Sequence, residues 1–242
     1  MQKASINLIK DLKKQKRKNS CLLFLDNIKI IEDCIKKGMN PIYIFAENDK
    51  AHLFSDNEDI LYIVDHKIIE QLSDSKTPQG VVCIIEYIPH IVKKPTTNFL
   101  VIDGLQDPGN VGSLIRSACA SGFENVYLVE SVNATNSKLI RSSVGTIFDI
   151  NVMELKRQEF IKYAIKWKLT LLKADMNGKN IFDFHTTDTV GVVVGNEGQG
   201  VSKDISKICK YSVSIPMKNK VESLNASVSG SIIMYELAKK NL

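Results

Sequence analysis

The stretch FLVIDGLQDPGNVGSLIRSA, residues 99–118, contains a short apolar run, a polar turn and the start of an amphipathic helix. The run FLVID predicts a buried strand, and Pro108-Gly109 predicts a tight turn after it, with Asn110 as the expected cap of the helix. Apolar side chains recur every three or four residues in the helix and form one face. A strand, a glycine-containing turn and a helix are typical of α/β proteins, so this stretch predicts that fold.

Further apolar runs separated by helical stretches follow toward the C-terminus. They predict a mostly parallel sheet that is covered by helices on both faces. The predicted strands are 99–103, 125–129, 169–174, 189–195 and 211–216, and the predicted helices are about 110–121, 156–168, 202–208 and 223–239.

The first third of the chain has an alternation of its own, which predicts a smaller α/β unit with a separate core. The stretch PHIVKKPTTN (89–98) has two prolines and no periodicity, and this is typical of a linker. We therefore expect an N-terminal domain at 1–90, a linker at 91–98 and a C-terminal domain at 99–242. The predicted elements of the first domain are strands at 21–25, 41–45, 59–64 and 80–88 and helices at about 26–37 and 65–73.

The composition limits the classes of protein that this chain can represent. With 242 residues, of which 44% are hydrophobic, the chain is sufficient for one large or two modest domains. No apolar stretch approaches the roughly 20 residues of a membrane-spanning helix, and the N-terminus lacks a signal-type segment. We therefore expect a cytoplasmic protein with no membrane partner. The five cysteines are scattered singly, so neither a disulfide framework nor a metal site is expected.

Positive charge is concentrated near the N-terminus. The net charge of +5 permits a polyanionic partner without requiring one. The run KKQKRK (13–18) is typical of a surface that contacts phosphates, and it is equally typical of a solvated helix face. Both interpretations stay open. The RNA-contact hypothesis names Lys13, Lys14, Lys16, Arg17 and Lys18.

The turn at 104–110 lacks the common phosphate-binding patterns. Its glycines do not follow the G-x-G-x-x-G spacing of dinucleotide sites, and the G-K-[ST] of a P-loop is missing. Arg116 lies off the apolar face of the helix. It is expected near the carboxyl ends of the strands, where open α/β sheets bind ligands, although an isolated helix arginine is usually only a solvated charge.

Two further segments combine glycines or small residues with polar side chains. The segment GNEGQG (195–200) follows a predicted strand, and its glycines allow the backbone to approach a ligand closely, although a simple turn would have the same composition. The stretch SLNAS (223–227) starts the last predicted helix, whose small residues predict close packing against another segment or a partner subunit. Ser223 and Asn225 offer a hydroxyl and an amide to a site, or they serve as a cap and a solvated amide.

In combination, these segments resemble the SpoU (TrmH-like) family of RNA ribose 2′-O-methyltransferases in the SPOUT superfamily. The resemblance extends over most of residues 99–240 and more loosely over the N-terminal unit. The matching stretches are DPGNVG (107–112) with Arg116, RSSVG (141–145), VGNEGQG (194–200), IPM (215–217) with SLNAS (223–227) and, in the first unit, SKTPQGV (75–81).

The resemblance implies a SPOUT domain with a deep trefoil knot, a ribosomal-protein-like N-terminal domain that binds the RNA substrate, and a homodimer. It also implies S-adenosylmethionine (AdoMet) as the methyl donor and RNA as the partner, with Arg141 among the RNA contacts. The implied catalytic residues are Asn110, Arg116, Glu197, Ser223 and Asn225. The implied cofactor-binding residues are Ala174, Gly195, Asn196, Gly198, Ile215, Met217 and Leu224.

The implied reaction transfers a methyl group to a ribose 2′-hydroxyl. We expect 23S ribosomal RNA as the substrate, because a separate N-terminal domain suits a structured ribosomal segment. Arginine is a poor base, so Arg116 is expected to act as a positioned cation. The alternatives are a transfer RNA methyltransferase, a non-catalytic RNA-binding or ribosome-assembly protein that keeps the fold, and a generic nucleotide-binding α/β protein.

Overall fold

The computed structural model describes residues 2–17, 21–218 and 223–239. The chain divides into two compact units, residues 1–88 and 89–242. Residues 91–98, predicted as a linker, are counted with the second unit. Val92 packs against the core of that unit, and the carbonyl of Lys93 accepts a hydrogen bond of 2.7 Å from the hydroxyl of Tyr127.

The first unit contains one five-stranded mixed sheet with the strand order β1-β4-β3-β5-β2. Strand β5 is antiparallel to both of its neighbours, whereas β1 and β3 are parallel to β4. A run of 3₁₀ turns at Ala51–Ile60, which the sequence did not predict, precedes β4. The elements are β1 Gln2–Lys3, α1 Ile6–Arg17, β2 Leu22–Leu25, α2 Ile28–Lys36, β3 Pro41–Ala46, β4 Leu61–Ile63, α3 His66–Leu72 and β5 Val81–Glu86.

One hydrophobic cluster of the first unit lies between this sheet and helices α1 and α3, and helix α2 also buries apolar side chains. Ile9 and Leu12 of α1 pack with Ile69 and Leu72 of α3. Phe45 of β3 is fully buried in the same cluster. The basic run at 13–18 therefore belongs largely to the end of an amphipathic helix whose apolar face is covered.

The second unit contains a six-stranded sheet in which every paired strand is parallel, in the order β11-β9-β10-β6-β7-β8. The predicted α/β fold with a parallel sheet is confirmed. The elements are β6 Phe99–Asp103, α4 Pro108–Ala120, β7 Asn125–Val129, α5 Ser137–Ser142, β8 Asn151–Leu155, α6 Arg157–Trp167, β9 Thr170–Asn180, β10 Val190–Gly195, α7 Lys203–Ile208, β11 Tyr211–Ser214 and α8 Ala226–Ala238.

Helices cover both faces of this sheet. Phe160 of α6 and Ile205 of α7 join the core on one face. On the other face α8 approaches α4 and β10 closely, since a Cβ added at Gly230 would lie 2.5 Å from Leu114 and 2.8 Å from Val194. The small residues of the last helix therefore allow the close packing that the sequence predicts, and this packing is against elements of the same chain.

No helix within the described residues is long and apolar enough to cross a membrane.

Candidate active site

A cleft of about 720 Å³ opens in the second unit where strands β9, β10 and β11 end and α8 begins. Its volume lies within the range of about 300–1,000 Å³ that is usual for small-molecule sites. Parallel sheets bind ligands outside the carboxyl ends of their strands, and the cleft occupies this position.

All of the residues predicted to bind the cofactor line this cleft. They come from β9, from the loop after β10, from the segment after β11 and from the approach to α8, so the fold brings together stretches that are far apart in the sequence. Their roles stay predictions. The residues are Ala174, Gly195, Asn196, Gly198, Ile215, Met217 and Leu224.

The glycine-rich loop is closed by its own backbone. The N–H of Asn196 donates to the carbonyl of Gly200 at 3.0 Å, and the N–H of Gly200 donates back at 2.8 Å. Gly200 has a φ of +69°, in the left-handed region that favours glycine. A Cβ on Gly195 would lie 2.2 Å from the backbone carbon of Gly200 and the nitrogen of Val201. Glycine is therefore required at 195 by contact and at 200 by conformation.

Three of the predicted catalytic residues form a hydrogen-bonded chain at the cleft. The Nδ2 of Asn110 donates to the Oε1 of Glu197 at 3.0 Å. The Nδ2 of Asn225 donates to the Oδ1 of Asn110 at 2.9 Å. Glu197, Asn225 and the predicted Ser223 line the cleft, whereas Asn110 lies behind this lining.

The orientation of both amides in this chain is fixed by its ends. The Oδ1 of Asn225 accepts the backbone N–H groups of Ser227 at 2.9 Å and Val228 at 3.3 Å, which caps helix α8. Backbone N–H groups only donate and an ionised carboxylate only accepts, so the amide nitrogen of Asn225 must face Asn110 and that of Asn110 must face Glu197. The chain thus links the start of α8 to the glycine-rich loop.

Asp107, rather than Asn110, caps helix α4. The Oδ1 of Asp107 accepts the backbone N–H of Asn110 at 2.9 Å, and Pro108 occupies the first turn. This hydrogen bond, together with Lys138, lowers the pKa of Asp107 below its ordinary value. The prediction that Asn110 caps the helix is wrong, because the helix begins at Pro108, so Asn110 is its third residue and carries one of the free N–H groups that a cap must satisfy. The amide of Asn110 is consequently free to join Glu197 and Asn225 in the hydrogen-bonded chain.

Arg116 projects from α4 as an exposed side chain and does not line the cleft. Within the part of the chain that the structure describes, its guanidinium forms no hydrogen bond or ion pair. A planar guanidinium with all its donors unused is suited to a phosphate or another anionic oxygen.

The predicted RNA contacts of the first unit differ in availability. The ammonium group of Lys16 donates to the carbonyl of Leu72, forms a 2.8 Å ion pair with Asp74 and lies 5.2 Å from the ring centre of Phe24. Its charge therefore mainly fastens α1 to the loop after α3. Lys13 donates to Gln71 at 3.3 Å, and Lys14 is exposed.

The remaining predicted RNA contacts are divided between the two units. Arg17 is the last residue of α1, and Lys18 lies outside the described residues. Arg141 belongs to the last turn of α5 in the second unit and is half-buried.

Sequence reasoning missed a charged pair in the cleft. Lys173 donates to Asp175 at 2.7 Å and to the hydroxyl of Ser206 at 3.0 Å, and both charged residues line the cleft. The hydrogen bond from Lys173 lowers the pKa of Asp175. The pair was missed because the predicted strand ended at Ala174, whereas β9 continues to Asn180.

In the described ranges, no group of three or more His, Cys, Asp or Glu side chains could hold a metal ion.

Comparison with known proteins gives a consistent result over both units. The sequence model of the SpoU rRNA Methylase family matches residues 97–235. A TrmH family protein of Staphylococcus saprophyticus is 33% identical over 230 residues, which cover 87% of each chain. The 23S rRNA (guanosine(2553)-2′-O)-methyltransferase of Bacillus subtilis is 28% identical over 232 residues, or 93% of this chain and 91% of the relative.

Solved structures share the fold. The SpoU methyltransferase AviRb from Streptomyces viridochromogenes, in complex with the cofactor AdoMet, has a TM-score of 0.86 at 21% identity over 98% of both chains. An AdoMet-bound rRNA methyltransferase from Sinorhizobium meliloti has a TM-score of 0.84 at 21% identity over 99% of this chain and 97% of its own.

Proposed function

This chain belongs to the SpoU rRNA methylase family, and we propose that it transfers a methyl group from AdoMet to a ribose 2′-hydroxyl of 23S ribosomal RNA. AdoMet-dependent RNA methylation is the activity of the family. The choice of ribosomal RNA and of the 2′-oxygen rests on the Bacillus subtilis relative, which is named for this reaction. A transfer RNA substrate is the alternative.

The observation that carries the proposal is the hydrogen-bonded chain of Glu197, Asn110 and Asn225 at the cleft. Hydrogen bonds within the protein join these three polar side chains from distant segments and fix the orientation of both amides. Such preorganised groups can hold a reacting oxygen without reorganisation during the reaction. A protein that only retained the fold would not need this arrangement.

The cleft fits AdoMet in size and in chemistry. The donor set combines backbone groups around Gly195 and Gly198, the apolar side chains of Ile215 and Leu224, and the carboxylate of Asp175. Backbone groups can satisfy an adenine edge, apolar walls can hold its faces, and a carboxylate complements a positively charged ligand. When bound, AdoMet supplies an electrophilic methyl group on a sulfonium.

Methyl transfer to a hydroxyl is an in-line displacement, so the protein must align the two reactants and exclude water. In the transfer, the 2′-oxygen would take the methyl group as its C–S bond breaks, the donor would leave as the neutral thioether S-adenosylhomocysteine, and the hydroxyl proton would pass to the adjacent phosphate or to water. We assign Arg116 to the phosphate next to the reacting ribose, where its charge stabilises the developing oxyanion. Asn110, Glu197, Ser223 and Asn225 hold the ribose in position.

We extend the proposal to the architecture of the family. The trefoil knot of the family is proposed for the C-terminal part of the second unit, and the closed loop after β10 and the return of α8 to pack against β10 support it. A homodimer is supported by Val228 and Tyr235, which are 46% and 44% exposed and seven residues apart on α8, so they lie on one face. The first unit serves as an RNA-binding domain of ribosomal-protein type, and a ribosomal RNA substrate places the enzyme in the cytoplasm.

The experiment compares Arg116→Ala with the wild type in methylation and in AdoMet binding. We expect methylation to be lost while AdoMet affinity, measured by calorimetry, stays within about threefold, because Arg116 lies outside the cleft. Arg116→Lys is the matched control and should retain part of the activity, since it keeps the charge and loses the planar fork. Near-normal turnover of the alanine variant would remove Arg116 from the chemistry.

The substrate is tested by mapping ribose methylation in RNA from cells with and without this protein. Loss of one 2′-O-methyl group from 23S ribosomal RNA is the expected result. Loss from a transfer RNA would establish the alternative.

A further inference from the structure

A buried carboxylate stands at the end of β6, outside the catalytic chain. Asp103 is the last residue of this strand and is 1% exposed. Its Oδ2 accepts the backbone N–H of Ser202 at 2.7 Å, and its Oδ1 accepts the Nε–H of Arg157 at 3.1 Å. A buried charge is costly unless it is paired and hydrogen-bonded, so a carboxylate that is satisfied on both oxygens has a defined structural task.

Arg157 is itself held on the side away from Asp103. Its NH1 group forms a 2.7 Å ion pair with Glu130, and its backbone N–H donates to the same carboxylate at 3.1 Å. The guanidinium therefore presents its Nε–H to Asp103 in a fixed direction. One oxygen of Asp103 accepts this group, and the other oxygen accepts the N–H of Ser202.

The backbone and the side chain of Asp103 hold the two ends of the glycine-rich loop. Gly195 is paired in register with Asp103, so the loop leaves β10 beside this residue. The side chain of Asn196 donates to the carbonyl of Gly104 at 3.0 Å. The chain then returns to Asp103 through the N–H of Ser202, after the residues 197 and 198 that line the cleft.

We propose that Asp103, oriented by Arg157, is a positioning residue that holds the glycine-rich loop in the shape that binds AdoMet. Asp103 acts through the N–H of Ser202; it does not itself line the cleft, and its side chain has no hydrogen bond to Glu197, Asn110 or Asn225. This inference rests on the proposed function, in which the cleft is the AdoMet site.

The test depends on the fact that both oxygens of Asp103 accept a hydrogen bond, one from Ser202 and one from Arg157. Asp103→Asn keeps the side-chain volume but leaves one acceptor oxygen. When this oxygen accepts the N–H of Ser202, the new NH₂ group faces the Nε–H of Arg157, and two donors oppose each other. In Asp103→Asn with Arg157→Gln, the carbonyl of the new glutamine accepts that NH₂, and the loop contact is restored. Ser202→Ala is the matched control, because the Oγ of Ser202 is buried without a hydrogen-bond partner among the residues described here, while its N–H remains.

Calorimetry with AdoMet and steady-state methylation are measured on the full chain. We expect Asp103→Asn to weaken AdoMet binding by about tenfold or more and to raise the KM for AdoMet, with kcat changed less than threefold. The double variant should recover most of the affinity, and Ser202→Ala should bind AdoMet within about twofold of the wild type. Thermal midpoints of all variants separate this coupling from a general loss of stability.

The results that would contradict these expectations distinguish the positioning role of Asp103 from the proposed function. Unchanged affinity in Asp103→Asn, a double variant no better than Asp103→Asn, or an equal loss in Ser202→Ala would each overturn the positioning role. Absence of AdoMet binding in the wild type would instead remove the proposed function. A loss of kcat at constant KM would also reject the inference, because it would place Asp103 in the chemical step.

Discussion

Gly195→Ala tests whether AdoMet binding depends on the backbone contact inside the glycine-rich loop. The new Cβ would lie 2.2 Å from the carbonyl carbon of Gly200 and the nitrogen of Val201, and 2.4 Å from the carbonyl oxygen of Gly200. Carbon atoms in contact prefer about 3.5–4.0 Å, so the two strands of the loop must separate by more than about 1 Å. Neither neighbour is the flexible end of a side chain that could turn away.

The expected energy follows from two contributions. Overpacking costs about 1–3 kcal/mol. The pair of backbone hydrogen bonds between Asn196 and Gly200, at 3.0 and 2.8 Å, contributes about 1 kcal/mol each and would be stretched. A cost of about 3 kcal/mol that is expressed at the cleft corresponds to roughly a 100-fold weaker binding of AdoMet.

The assay is calorimetric titration with AdoMet at a temperature at which circular dichroism shows that each variant is folded. Gly198→Ala is the matched control in the same loop, since its Cβ would lie 3.7 Å from the nearest atom, the Oδ1 of Asn196. We expect the control to bind AdoMet within about threefold of the wild type, because this is an ordinary contact distance. Wild-type affinity in Gly195→Ala would refute the reasoning, and an equal loss in both variants would place the effect in the cleft lining instead.

Three further predictions concern individual contacts. Asn110→Asp replaces the amide nitrogen, which lies 3.0 Å from the Oε1 of Glu197, with a carboxylate oxygen that repels Glu197. Methylation should fall by about 100-fold at neutral pH, a larger loss than in Asn110→Ala, and a radiolabel assay that finds the larger loss in Asn110→Ala would contradict this prediction. Val144 is a β-branched residue with a φ of 53° that is 41% exposed, and this backbone conformation carries a strain of about 1–3 kcal/mol. Val144→Gly should therefore raise the free energy of urea unfolding by about 1 kcal/mol, and a loss of stability would exclude this strain. The carboxylate of Glu47 accepts a hydrogen bond from His66 and raises its pKa, so this pair stabilises the first unit fully below about pH 6.5 and loses its effect as the pH rises through the raised pKa. Glu47→Gln should show a weaker decline of the unfolding free energy as the pH rises above about 6.5, and an unchanged decline would disprove the coupling.

The sequence was sufficient to predict the strands that form continuous apolar runs. Strands β6, β7 and β10 are buried on both faces, so they appear as continuous apolar runs, and their parallel pairing follows from the helices between them. Strand β8 was missed because only Val152 and Met153 of its five residues are buried, which leaves too short an apolar signal. Helix α5 was missed because it has only six residues.

The candidate site was predicted through motifs, while its connections required the structure. The sequence placed Asn110, Glu197 and Asn225 in three separate stretches, but the order of their hydrogen bonds depends on how the loops meet. The role of Asp103 was invisible, because a carboxylate at the end of an apolar run looks like an ordinary strand terminus. Its partner Arg157 lies 54 residues further along the chain, at a distance that no local pattern spans.

Asn225 caps helix α8 and also donates to Asn110, and this combination has a consequence for folding during synthesis. Its contact with Asn110 joins residues 115 positions apart, and the contact of Asn110 with Glu197 spans 87 positions. Closing such distant contacts is slow compared with forming single helices, and domains generally fold as units during synthesis. A nascent chain therefore lacks the hydrogen-bonded chain of Glu197, Asn110 and Asn225 until helix α8 has emerged and docked, so this part of the candidate site is completed late in folding.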